Sequence, residues 1–226
     1  KRLFASPVYM LNCGLGVIMI IIMAVYLLIK GEMLRTLLQA LPMSVACAEL
    51  FCAMLMCCVT SMCYFTAASI SLEGKNLWIL RSSPLPAQKI LSGKLLFHLS
   101  LSCPSVFVLS IAVGIVLHPS ASGWVLFLVL PQLMSVLCAQ FGLLINLCFP
   151  KLDWKSEAEP VKQSLATYLA MFVPFLFCGG IAAGVMFLPL NAKLLTLSVL
   201  LLVMLLNTFC AAWLMSRGAA RFDKLS

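Results

Sequence analysis

The sequence predicts an all-α, polytopic membrane protein in which six transmembrane helices form one bundle. Of its 226 residues, 63% are hydrophobic and only 10% are charged. Soluble domains are about 45–50% apolar and about 25% charged. The mean hydropathy is +1.12. Six separate stretches are apolar over the roughly 20 residues that a helix needs to cross a bilayer.

The six predicted spans follow one another through polar connections. They cover about residues 8–29, 41–68, 95–117, 124–148, 165–188 and 194–215. The connections 30–36, 118–123 and 189–193 are short, whereas 69–94 and 150–163 are longer and charged. We therefore expect residues 1–226 to form a single membrane domain. The chain starts at Lys1 rather than at methionine, and we expect that a preceding segment has been removed.

The basic residues predict the orientation of the loops, because lysine and arginine are enriched on the cytoplasmic side. With both termini and both long loops on one side, that side holds twelve of the fifteen basic residues, and Lys30, Arg35 and Lys193 remain on the other. We expect both termini inside. The net charge of +8 is scattered over four segments, so we expect no nucleic-acid partner.

Cysteine and histidine are the side chains that would bind a metal. The eleven cysteines lie inside apolar runs without a CxxC spacing, and His98 and His118 are far apart in sequence. We interpret the cysteines as small packing residues and expect no metal site.

Motifs for catalysis are also missing from the sequence. The fragment Leu91-Ser-Gly-Lys-Leu95 lacks the first glycine and the final hydroxyl residue of a phosphate-binding loop. The sequence has neither an HExxH nor a GxSxG motif. We therefore expect no ATPase site in this chain, and a membrane enzyme remains an alternative.

Glu49 is an acidic residue inside the second predicted span, about 12 Å from its start at ~1.5 Å per residue. Ionisable residues in a membrane usually face a bundle interior or a water-filled cavity. Two interpretations stay open. Glu49 contacts a substrate or a proton on a translocation path, or it lies near the outer end of its helix and is hydrogen-bonded for packing.

The fifth predicted span contains Pro174, which is expected to kink the helix, and a GxxxG pair formed by Gly180 and Gly184. One interpretation is a packing face with a kink. The alternative is a flexing helix beside a translocation path, which would place these residues with Glu49.

The stretch 69–94 is too long and too charged for a simple connection. Leu77 and Trp78 are suited to the membrane interface, and Ser83 before Pro84 is typical of a helix start. An interfacial helix held by lipid is one interpretation; a docking helix for a soluble partner is the other. In 150–163, acids and bases alternate around Trp154, and Ser156 with Glu159 has the spacing of a capping box.

Three segments of the chain carry a resemblance to a known family. The segment Ser71-Leu-Glu-Gly-Lys-Asn-Leu-Trp-Ile-Leu-Arg-Ser-Ser-Pro84, followed by Lys89 and Lys94, resembles the cytoplasmic signature of bacterial ABC-2-type exporter permeases. Residues 149–163 resemble the second cytoplasmic loop of that family, and residues 2–12 resemble a segment leading into one of its spans. Members are usually about twice as long, so the chain resembles a C-terminal half.

The resemblance implies the permease subunit of an exporter in the bacterial cytoplasmic membrane. It would move its substrate by alternating access, driven by a separate ATPase subunit. A separate ABC ATP-binding subunit would bind ATP and magnesium, and this chain would bind no cofactor. A missing N-terminal half or a second permease copy would complete the membrane domain. The implied ATPase-coupling residues are Ser71, Leu72, Glu73, Gly74, Lys75, Leu77, Trp78, Arg81, Pro84, Asp153, Trp154, Glu157 and Glu159. Half of an ion-driven secondary transporter is the main alternative; it would require several ionisable groups within the membrane.

Overall fold

The computed structural model describes residues 7–40, 43–82, 84–187 and 191–225, except for the side chains of Pro7, Lys75 and Arg81. In these residues the ordered elements are helical. The long helices are α1 (Pro7–Ala40), α2 (Val45–Thr60), α4 (Ala87–Leu117), α5 (Ala121–Cys148), α7 (Leu165–Phe187) and α8 (Ala192–Trp213). The short helices are α3 (Leu77–Arg81), α6 (Ala158–Lys162) and α9 (Ala219–Lys224).

Six helical segments are long and apolar enough to cross a membrane, which confirms the predicted multi-pass class. The segments that contain α2 and α5 are each 50% buried over their most apolar window, against 22% for α1 and 17% for the segment that contains α8. The helices α2 and α5 therefore form the centre of the bundle. The exposed leucines along α8, such as Leu197, Leu201 and Leu205, form an apolar outer face that suits lipid.

The two ends of the bundle differ in character. One end carries residues 61–82, 84–86, 149–164 and 214–225, and we call it the loop face. The other end carries residues 43–44 and 118–120, and we call it the turn face. Lys151 contacts Ser71 at the loop face, and Glu49 contacts Ser120 at the turn face. The two long charged segments of the sequence therefore share one end of the molecule.

The first predicted connection, 30–36, is wrong, because α1 continues through it to Ala40. The helix has 34 residues, which is about 51 Å at ~1.5 Å per residue and exceeds a hydrocarbon core of about 30 Å. Lys30 departs from helical geometry, with φ −122° and ψ 19°. The polar run after Lys30 thus remains helical beyond a kink instead of forming a loop.

The second predicted span, 41–68, also differs from the structure, and its first residues, 41 and 42, lie outside the described part of the chain. The helix α2 ends at Thr60. Residues 61–76 follow as turns and two 3-10 helices, Phe65–Ala67 and Ser71–Asn76. Nearly all of residues 61–71 are buried. Irregular backbone at membrane depth is tolerated where protein surrounds it, and α1, α4 and α5 surround this segment.

The remaining helices match their predicted spans within a few residues, except at two places. Helix α4 starts at Ala87 and runs unbroken to Leu117, so residues 87–94 of the first long connection belong to the same helix as the third predicted span. Beyond α8, a π-helical turn (Leu214–Gly218) leads into α9, where Phe222 is buried. The Arg221 guanidinium donates to the carbonyl oxygens of Leu147 and Cys148, at 2.9 and 3.1 Å, and so caps α5.

Candidate functional site

The candidate site lies at the loop face, where the irregular segment 61–76 meets the end of α5. We call Ser71, Asn146, Lys151 and Trp154 the Ser71 cluster. The Asn146 side chain accepts from the backbone N–H groups of Ile70 and Ser71, at 2.8 and 3.2 Å. Its amide also donates to the Ser71 hydroxyl at 2.7 Å. One side chain of α5 therefore pairs two backbone N–H groups that would have bonded to the backbone in a continued helix.

The same cluster binds the second long loop to the first. The Lys151 backbone N–H donates to the Ser71 hydroxyl at 3.0 Å. The Trp154 indole N–H donates to the Ser71 carbonyl oxygen at 2.8 Å. Gly74 lies under the indole ring, where a Cβ would approach Trp154 Nε1 to 2.9 Å, and its φ of +50° is in the left-handed region. Glycine suits this position for both reasons.

A buried ion pair connects the cluster to α4. The Lys94 ammonium donates to the Ser69 carbonyl oxygen at 2.6 Å and to Glu73 Oε1 at 3.0 Å. The two side chains are only 8% and 13% exposed. Because burying one member of an ion pair alone would be very unfavourable, the contact between Lys94 and Glu73 helps to hold both side chains in this buried position.

His98 lies one helical turn further along α4 and is fully buried. Its ring packs edge-on against Phe65, with 5.7 Å between the ring centroids. Neither ring nitrogen has a hydrogen-bond partner among the described residues. One turn beyond it, the hydroxyls of Ser102 and Ser135 are 2.7 Å apart. Lys94, His98 and Ser102 therefore form a polar row on one face of α4.

The predicted coupling residues divide into buried and exposed groups. Buried at the loop face are Ser71, Gly74 and Leu77. Outward-facing are Trp78, which is 64% exposed, together with Pro84 and Asp153. Leu72, Glu73, Trp154, Glu157 and Glu159 are half-buried. The side chains of Lys75 and Arg81 and all of Ser83 lie outside the described part of the chain.

The second loop has its own local order. Glu159 pairs with Lys151 at 3.1 Å and also accepts from the Lys155 backbone N–H at 3.2 Å. The predicted capping box is modified, since the Ser156 hydroxyl accepts from the backbone N–H of Ala158, at 3.4 Å, instead of that of Glu159. These bonds, together with Trp154, hold the loop against the bundle.

The four residues predicted for a translocation path occupy different places. Glu49 is half-buried at the turn face, where it accepts from the Ser120 backbone N–H at 2.7 Å. Pro174 is buried inside α7. A Cβ at Gly180 or Gly184 would meet no described atom within 4 Å, so the GxxxG pair does not mediate a close helix contact within the described chain.

Sequence reasoning missed Asn146 as a site residue, considered His98 only as a metal ligand, and used Lys94 only for topology and for the family resemblance. Each carried a detectable signal, because a polar or ionisable residue within an apolar span usually faces the protein interior. The described His, Cys, Asp and Glu side chains form no group of three or more that could hold a metal ion. The eleven cysteines, all within the described residues, are free thiols, and seven of them belong to the central apolar cluster.

Comparison of the chain with protein-family models, with curated proteins and with solved structures finds no match.

Proposed function

We propose that this chain is the membrane permease of an ABC-2-type exporter and that its loop face binds a separate ATP-binding subunit. The observation that carries the proposal is the hydrogen-bonded contact between the two long loops through the Ser71 cluster. Both loops resemble cytoplasmic segments of that family. A partner bound at one place on this end of the bundle would therefore contact both loops.

The exposed end of the first loop is the proposed docking surface. Helix α3 buries Leu77 and exposes Trp78 and Ile79, at 64% and 46%, and Leu85 nearby is 54% exposed. Tryptophan is enriched where protein interfaces carry most binding energy. Trp78, Ile79 and Leu85 form an apolar patch that we assign to the ATPase contact.

The buried contacts supply a mechanical route from this patch to the membrane helices. In the proposed mechanism, ATP binding closes the partner ATPase dimer and displaces α3. Glu73 and Lys94 carry that displacement to α4, and Ser71 and Asn146 carry it to α5. The two states need only differ in their affinity for the partner. ATP and magnesium stay on the partner, and a missing N-terminal half or a second permease copy completes the transport path.

The test is to replace the exposed patch without touching the buried residues. Trp78→Glu with Ile79→Glu should abolish co-purification of an ATP-binding subunit from the native membrane, together with Mg-ATP hydrolysis by the preparation. A charge at the exposed Ser216, on the same face but outside the patch, is the matched control (Ser216→Glu). Undiminished co-purification by the double variant would contradict the docking assignment.

A second candidate function, half of an ion-driven transporter, is favoured by the polar row on α4. Such a transporter needs ionisable groups among its spanning helices, and Lys94 and His98 are two that lie buried on α4, with Glu73 paired to Lys94. Reconstituted into liposomes under a pH gradient, the wild-type chain would then conduct protons, and His98→Phe would not. No proton flux by the wild type would eliminate this candidate.

A further inference from the structure

Two cavities open at the turn face, on either side of Glu49. One, of about 600 Å³, lies between the starts of α2, α5 and α8. The other, of about 370 Å³, lies between the end of α1, the start of α2 and the α4–α5 turn. Both volumes fall within the range of about 300–1,000 Å³ that small-ligand sites occupy. Glu49 lines both cavities.

The Glu49 carboxylate accepts two hydrogen bonds from Ser120 and has acceptor positions left over. Its Oε1 accepts from the Ser120 backbone N–H at 2.7 Å, and its Oε2 accepts from the Ser120 hydroxyl at 3.1 Å. A carboxylate offers about four acceptor positions, so two remain for a further donor. Among the described residues, no lysine, arginine or histidine lies within ion-pair distance of it. A bound cation with N–H groups would donate to the free acceptor positions and would also pair with the negative charge of the carboxylate.

The larger cavity also carries a positive charge. Lys193 lines it together with Glu49, and the hydroxyl residues Ser122 and Thr196 lie on the same wall. Lys193 is exposed and forms no ion pair within the described part of the chain. A ligand that joins a cation to an anion would match Glu49 and Lys193 together.

The rest of the cavity wall is apolar. Val45, Leu126 and Leu197 line it, and Leu197 continues into the exposed leucine face of α8 through Leu201. The turn face is one end of the membrane helices, so it lies at the level of lipid head groups in either orientation. An amphiphile could therefore place its polar part in the cavity and its chains along α8.

We propose that the cavity between α2, α5 and α8 binds the head group of a phospholipid that carries a primary amine. The ammonium donates to Glu49, and the phosphate accepts from Lys193. A primary ammonium has three N–H donors, as a lysine has, whereas a quaternary ammonium has none and cannot fill the free acceptor positions. The site distinguishes ethanolamine from choline head groups for this reason. This inference does not depend on the coupling function proposed for the loop face.

The experiment is native mass spectrometry of the purified full chain in detergent. The protein is titrated with phosphatidylethanolamine or with phosphatidylcholine of identical acyl chains. We expect one ethanolamine lipid per chain, bound about tenfold more tightly than the choline lipid, which corresponds to about 1.4 kcal/mol. Equal binding of the two lipids would overturn the proposal.

Three variants separate the roles of the two charges. Glu49→Gln keeps an oxygen for the Ser120 N–H but removes the charge, and it should abolish the preference for ethanolamine. Lys193→Gln should weaken the binding of both lipids alike, because they share the phosphate, and the fold should stay intact because Lys193 is exposed. Glu32→Gln, at an exposed acid of α1 that lines neither cavity, should change nothing. A preference that survives in Glu49→Gln, or a Lys193→Gln protein that binds both lipids normally, would contradict the assignment.

Discussion

At the scale of single residues, Asn146 connects the end of α5 to the irregular segment 61–76 at the loop face. The irregular segment 61–76 lacks the continuous hydrogen bonds of a helix, so the buried N–H groups of Ile70 and Ser71 need other partners. Asn146 accepts from both of these groups and donates to Ser71. Its amide accepts at the oxygen and donates from the nitrogen, so two separate atoms of one side chain bond the backbone N–H groups and the Ser71 hydroxyl.

Replacement of Asn146 by leucine should therefore destabilise the bundle strongly. The change leaves two buried N–H groups unpaired, at about 1–3 kcal/mol for each unsatisfied group, so we expect a loss of about 2–6 kcal/mol. Unfolding of the purified protein in detergent measures it. Asn12→Leu is the control, since the Asn12 amide bonds only its own helix at Val8; an equal loss in both variants would contradict the role of Asn146.

The Glu73–Lys94 pair makes a second prediction at this scale. Lys94→Met leaves the Glu73 carboxylate half-buried without its lysine, and breaking a buried pair costs about 3–5 kcal/mol. The double variant Lys94→Met with Glu73→Gln removes both charges and should recover part of that loss. A double-mutant cycle on the free energy of unfolding checks it. Additive losses would show that the two charges are not coupled.

At the scale of elements, the segment 61–76 is the unusual part of the fold. It contains neither glycine nor proline before Gly74, yet α2 ends at Thr60. Partners on three other helices hold it: the Tyr9 hydroxyl donates to the Phe65 carbonyl oxygen at 2.7 Å, and the Thr66 hydroxyl donates to that of Ala139 at 2.7 Å. Lys94 provides the third contact, through Ser69.

Gly142 on α5 permits the close approach of this segment. A Cβ at Gly142 would lie 2.6 Å from the Thr66 hydroxyl oxygen, so Gly142→Ala should break the bond from Thr66 to Ala139 and destabilise the protein by about 1–3 kcal/mol. Gly93→Ala on α4 is the matched control, because a Cβ there meets no atom within 4 Å.

The control variant Gly93→Ala should not lower the stability of the protein. Alanine is favoured over glycine inside a helix by about 1 kcal/mol, so Gly93→Ala should be neutral or stabilising. Thermal unfolding of both variants in the same detergent measures the difference. If Gly142→Ala were as stable as Gly93→Ala, α5 and the segment 61–76 would not be in the tight contact described.

At the scale of the whole molecule, six spans place the two ends of the described chain on the same side of the membrane. The loop face carries the long charged segments, and the charge bias of the sequence predicts that it is cytoplasmic. Alkaline phosphatase, which folds only outside the cytoplasm, should be active when fused after His118 and inactive when fused after Glu157. The reverse pattern would contradict the predicted orientation. The loop face would then not be accessible to the proposed cytoplasmic ATPase.

The sequence by itself determined the class of this protein and its division into six spans. Apolar composition and span length follow from transfer into lipid, which depends on each segment almost independently. For this reason, the start of α5 could be predicted to within a few residues. The polar character of the loop face could be predicted as well.

Only the tertiary structure decided where α2 ends, why α1 continues past Lys30 and which residues of the first loop are accessible. Residues 61–71 carry no charge, and their irregular backbone is held by Tyr9, Lys94 and Asn146, which reach it from distant parts of the chain. Likewise, Leu77 is buried and Trp78 exposed through contacts that neighbouring positions in a sequence do not reveal. Contacts between residues far apart in sequence place these groups, through hydrogen bonds in the segment 61–76 and through apolar packing at Leu77.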